Sequence, residues 1–177
     1  RAFNALFQLQ GIAQHSPLAL FVFAFIEEVA KFFAAGIIVW SHRREFDEPI
    51  DAMIYMLTAA FGLAAVENVA LALRVPDTNF IGGGALEVIG LRFFGATLLH
   101  GLASGLVGYY WGFAVFSRKH LGAVLLWAFL AAALLHALFN FFILLSEPIT
   151  WPLILLMAIA PVVFYDFSRL KRPGGQL

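Results

Sequence analysis

Five times between Pro17 and Phe167 the sequence runs apolar for about twenty residues and is then stopped by charge or proline. An α-helix needs about 20 apolar residues to cross the ~30 Å hydrocarbon layer of a bilayer, so each run is a candidate span. The runs are Pro17–Trp40, Ala52–Leu73, Arg92–Phe116, Leu121–Leu145 and Ile149–Phe167. The stops are the polar loop SHRREFDEPID, then Arg74, Pro76 and Asp77, then Arg118 and Lys119, then Ser146, Glu147 and Pro148. A longer connection after the second run holds Gly82, Gly83, Gly84 and Glu87, and Pro161 interrupts the last run. The composition agrees: 62% of residues are hydrophobic and 12% charged, against about 45–50% and about 25% in soluble domains.

The expected fold is therefore an all-α, polytopic transmembrane helix bundle with about five membrane-spanning helices. It forms one membrane-embedded domain over 1–177. Residues 1–16 are expected as an interfacial helix or the remnant of a missing span, and 168–177 as a basic cytoplasmic tail. The first residue is Arg1, so the chain reads as a fragment or processed product with room for further helices ahead of it. Five spans place Arg43, Arg44, Arg118, Lys119, Arg169, Lys171 and Arg172 on one side, against Arg1, Arg74 and Arg92 on the other. The positive-inside rule then puts the C-terminus in the cytoplasm. Cysteine is absent and the net charge is zero, which excludes thiolate catalysis and disulfides and gives no basic block for nucleic acid.

The spans carry few polar residues: Glu27, Glu28 and Lys31 in the first, Glu67 and Asn68 in the second, His100 in the third, His136 and Asn140 in the fourth. A charge at the centre of a membrane helix costs roughly 2.5–3.5 kcal/mol on insertion scales, so these groups must face one another or a wet cavity. Lys31 lies four residues after Glu27 and three after Glu28, within reach of either carboxylate. That leaves one carboxylate without a local partner. His136 and Asn140 are one turn apart and share a face. At ~1.5 Å per residue, Glu27, Glu67, His100, His136 and Asn140 fall roughly 9–15 Å from the same membrane face. Gly101/Gly105 and Gly108/Gly112 are GxxxG pairs that bring helices close, with Ser104 inside the first pair.

A carboxylate, two imidazoles and an amide suit hydrolysis by activated water. The carboxylate takes the proton, an imidazole orients the water or protonates the leaving amine, and a His/Asn pair donates to the oxyanion. Glu27, His100 and His136 are also candidate ligands for a divalent metal such as zinc. HExxH, GxSG and GxGD motifs are absent from the sequence.

FIEEVAKFF (Phe25–Phe33) resembles the EExxK motif of the PrsW family of membrane proteases. EFDEPIDAMIYMLTAAFGLAAVENV (Glu45–Val69) is similar to that family's DEP-x-D loop and the helix ending in EN. Arg92 leading to His100, and HALFN (His136–Asn140), are similar to its later motifs. The family is related to the CAAX prenyl endopeptidase and bacteriocin-processing family, whose FxxxH motif has Ala96 at its Phe position here. The resemblance implies an intramembrane endopeptidase, glutamic-type or metalloprotease. It implies Glu27 or Glu28 as base, His100 as its partner, and His136 with Asn140 at the oxyanion. Lys31, Glu67, Asn68 and Arg92 would be supporting residues. The implied substrate is a membrane-anchored protein such as an anti-sigma factor, cut on its extracytoplasmic side in a bacterial or archaeal plasma membrane. Buried Glu, Lys and His also line ion paths, so a transporter or proton relay is the alternative, although the sequence has no inverted repeat. A catalytically dead scaffold binding through its Gly-rich faces is a third reading.

Overall fold

The structure is a computed structural model that describes residues 16–73, 84–145 and 150–170, with the backbone alone at 71–72, 84–89 and 91–92. The described residues form five α-helices and no strand: α1 Pro17–Ser41, α2 Pro49–Ala72, α3 Gly84–Phe116, α4 Leu121–Leu144 and α5 Thr150–Leu170. A short 3-10 turn, Arg43–Glu45, lies between α1 and α2. The architecture is a helical membrane bundle. Three helices, α2, α4 and α5, are long and apolar enough to cross a membrane by length and composition, so the expected five spans are slightly generous by that measure. In α1, the three charged residues Glu27, Glu28 and Lys31 break the apolar run. In α3 the helix starts at Gly84, where the sequence suggested a loop through Gly84 and Glu87. The expected interfacial segment and most of the basic tail lie outside the described residues, as does the side chain of Arg92.

Local chemistry explains the helix ends. Ser16 caps α1, its Oγ accepting from the Ala19 N–H at 3.5 Å, with proline at the next position. Asp51, in the first turn of α2, accepts from the backbone N–H groups of Asp47 and Glu48 at 3.1 and 2.8 Å. This is the reciprocal half of a capping box, with Pro49 at the first helical position. α3 ends in a Schellman turn: Lys119 N–H donates to Ala114 C=O at 3.0 Å and Arg118 N–H to Val115 C=O at 3.4 Å. Arg118 takes the left-handed conformation usually left to glycine, with φ 54°.

α3 is the hub, packing against α2, α4 and α5, while α1 lies on α4 and α2. The α2–α3 contact is a backbone-to-backbone approach. A Cβ on Gly108 would sit 2.6 Å from Met53 Cα, and one on Gly112 would collide with the Pro49 carbonyl. Met53, Met56, Leu99, Val107 and Leu156 fill the core around this contact. Phe32 packs edge-on against Trp111 and Phe129, and Phe46 stacks on Trp111 at 5.3 Å. Outside, Phe33, Trp40, Phe94, Trp127, Met157 and Phe164 are exposed. Apolar surface of that extent suits lipid and would aggregate in water.

Candidate active site

Each helix from α1 to α4 sends polar side chains to one place. From α1, Glu28 and Lys31 point inward and are fully buried. The Lys31 ammonium has three donors and meets three acceptors: Glu28 Oε1, His100 Nδ1 at 2.9 Å and Ser104 Oγ at 3.3 Å. The Ser104 hydroxyl in turn donates to Glu28 Oε2 at 2.8 Å. Both carboxylate oxygens of Glu28 are thereby occupied. Breaking one side of such a buried pair costs about 3–5 kcal/mol, because the other charge is stranded.

Glu27 follows a different course. One residue is 100° of helix, so its side chain leaves the sealed network and stays 21% exposed. Its Oε2 lies 3.5 Å from His136 Nε2, and it has no hydrogen-bonded partner among the described residues. Opposite it, Glu67 from α2 holds His100 Nε2 at 2.9 Å and is 38% exposed. The rings of His100 and His136 meet edge-on, centroids 5.0 Å apart. One donor atom each from Glu27, His100 and His136 lies within 4.8 Å of the others. The constellation thus has a buried wall of Glu28, Lys31, Ser104 and the two imidazoles, and an open side edged by Glu27 and Glu67.

The remaining expected site residues sit as follows. Asn140 is half-buried, one turn beyond His136 on α4, and has no side-chain hydrogen bond to a described residue. Asn68 donates to Thr97 Oγ1 at 3.1 Å, tying α2 to α3. Ser104, which its glycine-rich surroundings place on a packing face, is a full member of the polar network. Its signal was its position one turn after His100, on the same face.

The donor set fits a divalent cation in kind and spacing: a carboxylate and two imidazoles, the ligand types zinc takes in open catalytic sites. His136 Nδ1 makes no hydrogen bond and faces Glu28 Oε1 at 3.5 Å, while its Nε2 faces Glu27 Oε2 at 3.5 Å, so Nε2 is the nitrogen turned toward the open side. His100 would have to release one of its two partners to join such a set.

The family described as PrsW family intramembrane metalloprotease matches residues 2–165. The chain belongs to the PrsW family. Among curated PrsW relatives, "Protease PrsW" of Oceanobacillus iheyensis is 30% identical over 154 residues, covering 87% of this chain and 66% of that protein. "Protease PrsW" of Geobacillus kaustophilus is 29% identical over 136 residues, covering 77% of this chain and 56% of the relative. The chain thus spans between about half and two thirds of the length of these PrsW relatives. No solved structure matches it.

Proposed function

We propose that this chain carries the hydrolytic centre of a PrsW-type intramembrane endopeptidase that cuts a membrane-anchored protein. The observation that carries the reading is the convergence of Glu27, His100 and His136, from three helices, within 4.8 Å, two buried imidazoles meeting a partly exposed carboxylate. Glu28 is spoken for at both oxygens, so Glu27 is the base. A water beside it gives its proton to the carboxylate while its oxygen attacks the peptide carbonyl. The tetrahedral oxyanion accepts hydrogen bonds from His136 and from the Asn140 amide one turn along the same helix face. The C–N bond then breaks, and the leaving amine takes the proton from Glu27. His100 bounds the water's position, and Glu67 and the Lys31 network hold His100. Where a metal is bound, Glu27, His100 and His136 would hold it, zinc being the natural choice for these ligands, and it would polarise the carbonyl and acidify water.

The lysine and arginine asymmetry of the loops supports a cytoplasmic C-terminus in a plasma membrane, with the site nearer the extracytoplasmic face. That position suits a substrate of the anti-sigma-factor kind. The test uses the protein in detergent with a membrane-anchored peptide library, comparing wild type with His136→Ala, with chelator and with added zinc. Cleavage that falls at least about a hundredfold in the variant is expected, the scale of losing an oxyanion donor. Equal cleavage in the variant would remove the site, and ion flux without proteolysis would favour the relay.

A further inference from the structure

The buried lysine has a consequence for the proton on His100. We infer that Lys31 is a tautomer lock: it compels His100 to carry its proton on Nε2, and so makes the imidazole a hydrogen-bond donor toward the open side of the site. The inference rests on the reading of this cluster as a hydrolytic centre and assigns Lys31 a positioning role within it.

An ammonium has donors and no acceptor. Its Nζ lies 2.9 Å from His100 Nδ1, so that nitrogen must present a lone pair. A proton on Nδ1 would set donor against donor in a site closed to water. Neutral imidazole has one proton, which therefore sits on Nε2, where Glu67 Oε2 accepts it at 2.9 Å. The lysine cannot easily turn away, because its other two donors are held by Glu28 Oε1 and Ser104 Oγ, and Glu28 is held again by the Ser104 hydroxyl. Glu28 and Ser104 are thus the frame of the lock, and Glu67 receives its output. All members but Glu67 are buried.

Two properties of the site follow. His100 has no free lone pair to act as base, which leaves that task to Glu27. Glu28, adjacent to the base in sequence, serves the lock and does not touch the reacting atoms.

The test is the ¹⁵N spectrum of the full chain labelled at histidine, in detergent at mildly alkaline pH, with His100 assigned by loss of its signals in His100→Gln. In wild type, His100 Nε2 is expected at the protonated position and Nδ1 at the unprotonated one. Glu67 also holds the Nε2 proton, so Lys31 is tested with that carboxylate removed: Glu67→Ala alone is expected to keep the wild-type pattern, and Lys31→Met/Glu67→Ala to lose it to an average of both tautomers. In Lys31→Met, kcat is expected to fall while KM holds. Should the double variant not fold, Lys31→Met/Glu28→Gln/Glu67→Ala, which strands no carboxylate, is expected to lose the preference in the same way. A wild-type proton on Nδ1, loss of the pattern in Glu67→Ala, or an unchanged pattern once Lys31 and Glu67 are both removed, overturns the inference. The spectrum needs no substrate: a correct tautomer without proteolysis would refute the protease reading alone, and proteolysis with the wrong tautomer would refute the lock alone.

Discussion

Alanine at Gly108 should destabilise the protein, whereas alanine at Gly36, Gly62 or Gly122 should stabilise it. All four lie in helices, where alanine is preferred to glycine by about 0.5–1 kcal/mol. At Gly36, Gly62 and Gly122 an added Cβ meets nothing within 4 Å, so only that gain applies. At Gly108 the Cβ would lie 2.6 Å from Met53 Cα and 3.0 Å from the Ala52 carbonyl oxygen. Carbon atoms pack at about 3.5–4.0 Å, so α2 and α3 must part by about 1 Å, and backbone cannot rotate away as a side-chain tip can. Overpacking of this kind costs about 1–3 kcal/mol. Set against the propensity gain, this leaves a net loss of up to about 2.5 kcal/mol. The same separation would pull Glu67 on α2 from His100 on α3, whose contact is 2.9 Å, so activity should fall with stability. Equilibrium unfolding in mixed micelles reads the difference directly. A Gly108→Ala protein as stable as Gly122→Ala would refute the close-packing argument.

Lys31→Met alone should lose about 3–5 kcal/mol in the same unfolding assay, and Lys31→Met/Glu28→Gln should recover most of it, since the stranded carboxylate is gone. Equal stability of the two variants would mean that the pair is not buried as described. A double-mutant cycle on Asn68→Ala and Thr97→Ala should return a coupling of about 0.6 kcal/mol, typical of interhelical hydrogen bonds in membranes, and zero would deny the contact. Arg118→Gly should raise stability by about 0.5–1 kcal/mol by relieving the left-handed residue of the Schellman turn, and a drop would show that Arg118 makes an offsetting interaction.

The bundle was legible because lipid imposes length: runs of about 20 apolar residues admit few other folds. The gathering of Glu27, Glu28, Lys31, Glu67, His100 and His136 was legible for a related reason, since charged groups inside a bilayer have to find one another. What the sequence left open was the division of labour between adjacent glutamates. Glu28 and Glu27 differ only by a turn of about 100°, and which one is sealed depends on where α3 places Ser104 and His100. Ser104 itself hid in a glycine-rich face whose spacing reads equally well as helix packing. Asn68 was ambiguous because an amide near a helix end serves a site or a neighbouring helix equally well, and Thr97 decides it. The early start of α3 at Gly84 runs against glycine's low helix propensity, a weak preference that tertiary context overrides.

The most direct test of the account is the cleavage rate of Glu27→Gln beside that of wild type, with the unfolding midpoint measured on the same preparations. Glu27 is the carboxylate of α1 left without a hydrogen bond among the described residues. The amide should therefore leave the fold intact and lower kcat by at least about a hundredfold, as loss of a general base does. A stably folded Glu27→Gln protein that cuts its substrate at the wild-type rate would contradict the account.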